Sequence, residues 1–396
     1  MDLNYFIKKQ NLLIAKVSTD FIRKDYLAYL QEDEKLVGII GSRGVGKTTL
    51  LLQYLKQVSV KYLYVSADDI VFQDLKLYDL VDEAYRLGRK IVVIDEIHKY
   101  PDWAREIKNI YDSFPDIVLR ISGSSMINIL YEKYDLSRRL VLHYVPFLSF
   151  REFLSMKTHK DFEVLTLDNI LNNAEKISSE LVFANDDLYS YFHEYLKHGA
   201  YPFFMEGEKN FSSKLFNALE KVINEDIPSL NKIDFSHLII FKKLIYRLVE
   251  SRKTFQVNVA KLSREFHISE PTLYTYFEIL QKSKVFRPLK KFSKNISKKP
   301  EKILFGNSNI LYSYARELEI EVDIGTVRET FFANCFDEIY YSDIGDFRVE
   351  KYIFEVGGKG KGFKQIEDIA DSFVVNDVDY TVSEGKIPLW MFGFLR

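Results

Sequence analysis

The chain has 396 residues, a hydrophobic fraction of 47%, a charged fraction of 28% and a formal net charge of −2. This length exceeds one ordinary core and predicts two or three folded domains. The hydrophobic and charged fractions are those of a globular protein, and they exclude a disordered or fibrous chain. The near-neutral charge excludes long-range attraction of the whole molecule to nucleic acid or anionic membrane, so any such attraction needs a local patch. A single cysteine, Cys335, excludes an internal disulfide framework and a multi-cysteine metal site.

The sequence contains no membrane-targeting signal. No stretch approaches the ~18 uninterrupted apolar residues of a membrane span, and the first residues lack an apolar core followed by a cleavage site. We therefore expect a cytoplasmic protein with no targeting segment and no membrane partner.

The first third of the chain alternates apolar strands with helices. Strands are predicted at 35–40, 60–69, 90–95 and 117–122, and helices at 21–30, directly after Lys47, at 77–87 and at 103–114. Strands that alternate with helices of about ten or more residues indicate crossover units and a mainly parallel sheet covered on both faces. The sequence therefore predicts an α/β nucleotide-binding architecture.

The rest of the chain changes character twice. From residue 150 to about 225 the strand signal fades, and aromatic, Leu-rich helical segments predict a helical lid or linker. Next come predicted helices at 235–252, 259–266 and 270–282, with strands at 285–292 and 302–305 around a Lys- and Ser-rich loop. This order is the sequence form of a winged helix. A helix at 325–335 and short strands between Gly-rich turns then predict a small α/β domain.

Residues 41–48 match the pattern G-x-x-x-x-G-K-[ST] between an apolar strand and a helix, the context that this phosphate-binding motif requires. Glycines let backbone N–H groups approach phosphate closely, and the helix start adds its positive end. Lys47 is predicted to reach the β- and γ-phosphates, and Thr48 to place its hydroxyl on Mg²⁺. The candidate nucleotide-binding residues are Gly41, Ser42, Arg43, Gly44, Val45, Gly46, Lys47, Thr48 and Thr49.

Acidic and polar residues follow the next two predicted strands. Asp95 is expected to hold Mg²⁺ through water, and Glu96 to polarise the attacking water, which suggests hydrolysis as well as binding. Ser124 is a candidate sensor of the γ-phosphate or the water, with an ordinary turn as the alternative. Arg138 or Arg139 would supply positive charge to the transition state, in cis or from a neighbouring subunit, unless both are only solvated arginines before a strand.

Five segments, in chain order, carry a family resemblance: GSRGVGKTT, IVVIDEIHKYPDW, ISGSS, LSRRLVLHYVPFLSFREFL and YLKHGAYPFF. Together they resemble the predicted prokaryotic ATPases of the AAA+-related archaeal-ATPase group, which carry a C-terminal domain of nuclease-like fold. The resemblance implies ATP and Mg²⁺ as ligands. It extends the acidic motif over His98, Pro101 and Trp103, and it makes Arg139 the match to the family's arginine.

The resemblance also implies a fold class: α/β, with a parallel-sheet P-loop NTPase of AAA+-like type, a helical lid, a winged helix and a small C-terminal α/β domain. The expected regions are 1–150 for the ATPase domain, 151–232 for the lid or linker, 233–305 for the winged helix and 306–396 for the C-terminal domain.

The segment 282–302 concentrates lysine and arginine against a single acid, Glu301. A winged helix presents such a hairpin to DNA phosphates. The alternatives are a solvated linker, or a winged helix used only for packing. The candidate DNA contacts are Lys290, Lys291, Lys298 and Lys299. Further candidates on the preceding helix are Thr272, Tyr274, Thr275 and Tyr276.

In the C-terminal domain, Asp346 and the run Glu355-Val356-Gly357 resemble the Asp…Glu-x-Lys motif of PD-(D/E)XK nucleases, with Glu329 as a helical acid. Two carboxylates at adjacent strand ends would hold Mg²⁺, and a lysine would support the nucleophile. Gly357 stands where that motif has lysine, and Lys359 or Lys361 replaces it only if the Gly-rich turn folds back. We therefore expect a degenerate, non-cleaving domain.

The leading prediction is Mg²⁺-dependent ATP binding and hydrolysis that controls a DNA- or protein-binding C-terminal half. DNA, ADP and further copies of the chain are the other candidate partners. The alternatives are a slow nucleotide-dependent switch or scaffold, and an ATP-controlled DNA nuclease.

Overall fold

The computed structural model describes residues 3–124, 136–228, 235–251, 255–292, 299–380 and 385–396. The described residues form two compact units, one ending at residue 146 and the other beginning at residue 147. No helix within these ranges is long and apolar enough to cross a membrane. The finer division into four regions stays a prediction.

The first unit is built on a five-stranded parallel sheet. Its strands are β1 Leu36–Ile40, β2 Tyr62–Ser66, β3 Ile91–Asp95, β4 Val118–Gly123 and β5 Val141–Tyr144, in the spatial order β2-β3-β4-β1-β5. All neighbouring pairs run parallel. Every residue of β1 is buried, as expected for a strand covered on both faces. The predicted parallel α/β architecture is confirmed.

The helices of the first unit are α1 Leu3–Lys16, α2 Lys24–Leu30, α3 Lys47–Gln57, α4 Leu77–Arg86 and α5 Trp103–Ser113. The crossover helices pack through apolar stripes at helical spacing; in α5 the buried set includes Trp103, Ile107 and Ile110. These burials account for why α3, α4 and α5 form where the sequence predicts them.

No bounds were predicted from the sequence for two elements of the first unit. One is α1, which packs Leu3 and Phe6 into the core. Its Gln10 accepts a hydrogen bond of 2.8 Å from the backbone N–H of Tyr64 in the edge strand β2. The helix therefore covers a sheet edge that would otherwise expose its N–H and C=O groups. The other is β5, which completes the far side of the sheet beside β1 and which the sequence indicated only as a strand after two solvated arginines.

The second unit begins with helices, as predicted. They are α6 Phe150–Thr158, α7 Leu167–Ala184 with a kink at Asn173, α8 Leu188–Glu194 and α9 Phe211–Lys221. A π-helical turn, Tyr195–Gly199, follows α8 directly. The aromatic residues form a packed cluster in which Phe150 contacts the rings of Phe192, Tyr195 and Phe394. The many aromatic residues of this region thus pack together as its hydrophobic core.

The next elements are α10 Phe235–Val249, β6 Phe255–Gln256, α11 Val259–Phe266, α12 Glu270–Lys282, β7 Phe286–Leu289 and β8 Lys302–Phe305. The three strands form an antiparallel sheet in the order β6-β8-β7. Helix, helix, helix and hairpin follow one another as predicted, and the assignment as a winged helix stays a prediction.

The C-terminal elements are α13 Ser308–Glu317, α14 Ile324–Asn334, β9 Tyr340–Tyr341, β10 Phe347–Val349, β11 Tyr352–Gly358, β12 Ser372–Asp377 and β13 Lys386–Pro388. The five strands form one mixed sheet in the order β13-β12-β11-β10-β9. Strands β11, β12 and β13 are parallel, whereas β10 is antiparallel to both neighbours. This confirms the small α/β region, although α13 was not predicted.

Candidate nucleotide site

The loop between β1 and α3 has a backbone that requires glycine at three places. Gly44 and Gly46 have left-handed φ angles of 83° and 94°, which side chains with a Cβ rarely adopt. At Gly41 a Cβ would lie 2.4 Å from the carbonyl oxygen of Val145. The motif therefore folds as a tight loop leading into the N-terminus of α3, the arrangement that binds phosphate.

Lys47 starts α3 and is buried. Its Nζ donates hydrogen bonds to the carbonyl oxygens of Gly41 (2.8 Å) and Ser42 (3.0 Å) in its own loop. The Oγ of Ser42 is buried and has no hydrogen-bond partner among the described residues. The loop thus holds one ammonium and one unsatisfied hydroxyl at the place where a phosphate would bind, so its residues fit a nucleotide.

Asp95, at the end of β3, is held by hydroxyl groups. Thr48 Oγ1 donates to Oδ2 at 2.6 Å, Tyr64 donates to the same oxygen at 3.0 Å, and Ser122 donates to Oδ1. Burial raises the pKa of Asp95, the charge of Glu96 adds to the rise, and the hydroxyl groups oppose it. Thr48 and Asp95, the two predicted Mg²⁺ ligands, therefore lie in direct contact, and oxygen donors of this kind suit Mg²⁺.

Glu96 follows in a left-handed backbone conformation with φ 51°. This conformation is sparsely populated by residues other than glycine and tends to occur at functional sites. Ser124 Oγ donates to Glu96 Oε2 at 2.8 Å, and the Nε2 of buried His98 lies 3.4 Å from the same oxygen. One carboxylate oxygen, Oε2, is therefore held by Ser124 and lies beside His98, and the other is not part of these contacts.

The sheet order explains why serines of β4 reach the acids of β3. Strand β4 lies between β1 and β3, so its carboxyl end stands between the phosphate loop and Asp95. The sequence analysis selected Ser124 but missed Ser122 and Tyr64. Ser122 shares the ISGSS segment and could have been weighed with it. Tyr64 lies inside a strand, where aromatic residues are common, so no sequence signal marks it.

Arg139 lies elsewhere in the unit. Its Nε and Nη2 form a bidentate ion pair with Asp112 at the end of α5, both distances being 3.0 Å. Arg139 comes just before β5, at the amino end of a parallel strand, whereas the phosphate loop follows the carboxyl end of β1. The structure therefore does not bring Arg139 to Lys47 of its own chain. Arg138 is exposed, and Ser125 lies outside the described residues.

The candidate DNA-binding lysines differ among themselves. Lys290 and Lys299 are exposed, Lys291 is paired with Asp343, and Lys298 lies outside the described residues. Tyr276, expected on the recognition face, is buried instead, and its hydroxyl is 2.5 Å from Nδ1 of His237. Interpreting Tyr276 as a DNA contact is therefore wrong, because its side chain belongs to the core of this region.

Glu355 and Asp346, the acids expected from the nuclease-like motif, lie in or beside the C-terminal sheet together with Lys361. Glu355 is buried, and its Oε1 is paired with Nζ of Lys361. A Cβ at Gly357 would lie 2.8 Å from Cβ and Cγ of Lys361, so this lysine fills the space beside the glycine. The Gly-rich turn thus folds back, and Lys361 stands where the sequence analysis found a lysine missing. Burial raises the pKa of Glu355, Lys361 opposes the rise, and Asp346 adds to it.

Two family models match parts of the chain. One, described as an AAA domain, matches residues 33–154, and the other, a domain of unknown function (DUF8612), matches residues 189–317. No curated protein matches the chain.

Solved structures resemble the chain only distantly. The Holliday junction branch migration motor RuvB of Thermotoga maritima is 13% identical, with a TM-score of 0.29, and the match covers 77% of this chain and 96% of RuvB. The ORC1 protein of Aeropyrum pernix, solved in complex with DNA, is 12% identical, with a TM-score of 0.30 and coverage of 74% and 91%. AMPPCP-bound DnaA of Aquifex aeolicus is 15% identical, with a TM-score of 0.25 and coverage of 66% and 86%.

The AAA-domain match covers the phosphate loop, Asp95, Glu96 and Ser124, and it coincides with the parallel sheet of the first unit. The first unit therefore has a P-loop NTPase fold of the AAA+ type.

Proposed function

We propose that the protein binds and hydrolyses ATP with Mg²⁺ and uses its nucleotide state to control a DNA- or protein-binding C-terminal half. The observation that carries this proposal is the contact of 2.6 Å between Thr48 Oγ1 and Asp95 Oδ2, directly beside the phosphate loop. Two predicted metal ligands from separate elements meet there, as Mg²⁺-dependent phosphoryl transfer requires.

ATP binding would use protein groups whose present hydrogen-bond partners can be replaced by phosphate oxygens. Lys47 gives up the carbonyl oxygens of Gly41 and Ser42 for phosphate oxygens, and the N–H groups of the loop and of α3 contact the same phosphates. Thr48 and Asp95 would hold Mg²⁺, which supplies positive charge against the phosphates when bound. Because these groups are already placed by the fold, little ordering remains to be done on binding.

Hydrolysis uses Glu96 as the group that orients the attacking water and accepts its proton. Ser124 holds one carboxylate oxygen, with His98 beside it, which leaves the other oxygen for water. Arg139 would supply its charge to a neighbouring copy, since it lies away from Lys47 of its own chain and is partly exposed. This part of the proposal requires a homo-oligomer.

The deciding experiment measures phosphate release by the purified full-length protein with Mg²⁺-ATP, alone and with duplex or single-stranded DNA. We expect release by the wild type and none above background by Lys47→Ala. The matched control is Lys56→Ala, an exposed lysine of the same helix. Tight ATP binding without turnover would favour a nucleotide switch, and equal rates in wild type and Lys47→Ala would refute the proposed site. A change with DNA would support its role as an effector.

A second candidate function is metal-dependent cleavage of DNA by the C-terminal region. The ion pair between Lys361 and buried Glu355 favours it, since it supplies a lysine beside an acid near Asp346. The buried Oε2 of Glu355 has no hydrogen-bond partner among the described residues, and a metal ion would satisfy it.

The test of this second function incubates plasmid DNA with Mg²⁺ or Mn²⁺ and ATP. It is supported by nicking that is lost in Glu355→Gln and in Lys361→Met and retained in Lys359→Met, a matched lysine of the same turn. A wild type that does not nick would leave the domain in the non-cleaving role expected from the sequence.

A further inference from the structure

The second unit contains a cluster of metal-ligating side chains that none of the functions above uses. One ligand atom each of Glu194, His198 and Glu208 can be chosen so that all three lie within 4.8 Å of one another. Nε2 of His198 lies 3.6 Å from Oε1 of Glu194 and 3.3 Å from Oε1 of Glu208. The nitrogen is buried and has no hydrogen-bond partner among the described residues.

These distances suit co-ligands better than hydrogen bonds. Ligand atoms ~2.0–2.1 Å from a tetrahedral Zn²⁺ are about 3.3–3.4 Å apart. Hydrogen bonds between nitrogen and oxygen are usually about 2.7–3.2 Å long. A buried imidazole nitrogen without a partner costs free energy, and a metal ion placed among the three atoms would remove that cost.

The backbone that presents His198 is fixed independently of any ligand. His198 lies in the π-helical turn, a distortion found frequently at functional sites. The buried amide of Asn309 donates to the carbonyl oxygens of Tyr195 and Leu196 and accepts from the N–H of Ala200, at 2.7 to 2.9 Å. The turn is thus held by α13, so that the position of the imidazole does not depend on solvent-exposed groups.

The remaining ligands differ in freedom. Glu194 is mostly buried, and the oxygen that lies 3.6 Å from His198, Oε1, accepts a hydrogen bond of 2.6 Å from Nζ of Lys157. The lysine fixes this carboxylate, and a metal ion bound there must displace the ammonium or use the other oxygen of Glu194. Glu208 is 62% exposed and follows Gly207, whose φ of 103° turns the chain back toward His198. An exposed third ligand gives a metal ion a path from solvent.

We propose that Glu194, His198 and Glu208 bind a divalent transition metal of the Zn²⁺ class, with water as a fourth ligand. One imidazole with two carboxylates suits Zn²⁺ better than Mg²⁺ or Ca²⁺, which prefer oxygen ligands throughout. The site ties the π-helical turn to the segment before α9. It does not rest on the proposed ATPase activity.

The test uses metal-free full-length protein without nucleotide, titrated with Zn²⁺ by calorimetry and with Co²⁺ by visible absorption. We expect one site per chain whose affinity falls at least ~10-fold in both His198→Gln and Glu208→Gln. The control is Glu206→Gln, because Glu206 is 61% exposed, lies two residues away and pairs with Lys214 instead. We expect it to bind like the wild type.

Glu208→Gln keeps the test decisive if His198→Gln fails to fold, since an exposed carboxylate contributes little to the core. No stoichiometric binding by the wild type, or equal affinity in the wild type and Glu208→Gln, would overturn the site. The latter would assign any bound metal to other groups and leave His198 as a histidine between two acids.

Discussion

Each unit holds a buried carboxylate in its sheet, and the two carboxylates are stabilised by different kinds of partner. Asp95 in the first unit is surrounded by hydroxyl groups from Thr48, Tyr64 and Ser122. Glu355 in the second unit is paired with the ammonium of Lys361. Burial raises the pKa of both carboxyl groups, so both environments penalise the negative charge.

The difference lies in what a cation must displace. Hydroxyl oxygens are themselves suitable neighbours of Mg²⁺, and the Thr48 hydroxyl can turn from Asp95 to the metal at little cost. A metal at Glu355 faces an ammonium held close to the same carboxylate and must overcome its repulsion. A cation therefore enters the first site without repulsion from an ammonium, whereas a metal ion at Oε2 of Glu355 would bind beside Lys361, which would weaken its binding.

Among the variants that should slow hydrolysis without abolishing ATP binding, Glu96→Gln has one of the largest expected effects. We expect Glu96→Gln to lower kcat for ATP hydrolysis by about 10³-fold while leaving Mg²⁺-ATP affinity nearly intact, since Glu96 acts on water rather than on bound phosphate. Steady-state phosphate release and equilibrium binding of a fluorescent ATP analogue would measure the two quantities. Glu83→Gln, an exposed acid of α4, is the control.

An unchanged kcat in Glu96→Gln would remove Glu96 from the mechanism. A loss of ATP binding equal to that of Lys47→Ala would instead show that Glu96 stabilises the bound ground state and not only the transition state.

Arg139 tests whether the first site is complete within one chain. We expect Arg139→Ala to lower kcat by about 10³-fold, the lower range for an arginine that acts on phosphoryl transfer from another subunit. Mixing Arg139→Ala with Lys47→Ala protein should restore part of the activity, because mixed neighbours contain one site with both residues. Arg138→Ala, the exposed neighbour, serves as the control.

Specific activity that stays constant on dilution into a demonstrably monomeric state would contradict this prediction. So would an Arg139→Ala defect that no mixing relieves, since the pair with Asp112 would then have only a structural role.

Ser124 tests how strongly positioning matters. We expect Ser124→Ala to lower kcat by about 10- to 150-fold and to leave ATP affinity unchanged, since one hydrogen bond to a charged group contributes about 1.5–3 kcal/mol. Ser122→Ala should affect metal binding and not water positioning, because the Ser122 hydroxyl donates to Asp95. We expect this variant to alter the Mg²⁺ concentration needed for half-maximal activity. Titrating Mg²⁺ against both variants separates the two roles, and identical Mg²⁺ dependence would contradict the assignment.

The sequence predicts the first site far better than the second, for a physical reason. Lys47, Thr48 and Asp95 belong to motifs in which the strand, loop and helix fix the geometry locally. A short sequence pattern is therefore enough to predict that these side chains lie close together. Lys361 reaches Glu355 only because a Gly-rich turn folds back, which no periodicity encodes. The π-helical turn at His198 likewise depends on Asn309 in a distant helix. Strand β5 was indicated without bounds, as a strand after Arg139, because its four half-buried residues give a weak pattern.

The smallest expected effect concerns the basic surface of the second unit. Lys290, Lys291 and Lys299 are all exposed, and Lys291 is paired with Asp343. If the region binds DNA through phosphates, changing Lys290 and Lys299 to Gln should weaken binding to every sequence alike. It should also reduce the slope of log Kd against log salt concentration by about two units, near one for each phosphate that the variant no longer neutralises.

Lys291→Gln is the matched control, and it should change the slope less, because its charge is offset by the acid beside it. Fluorescence anisotropy with duplexes of two unrelated sequences, over a range of salt concentrations, would measure both quantities. Equal binding by the double variant and the wild type would make this surface a solvated one.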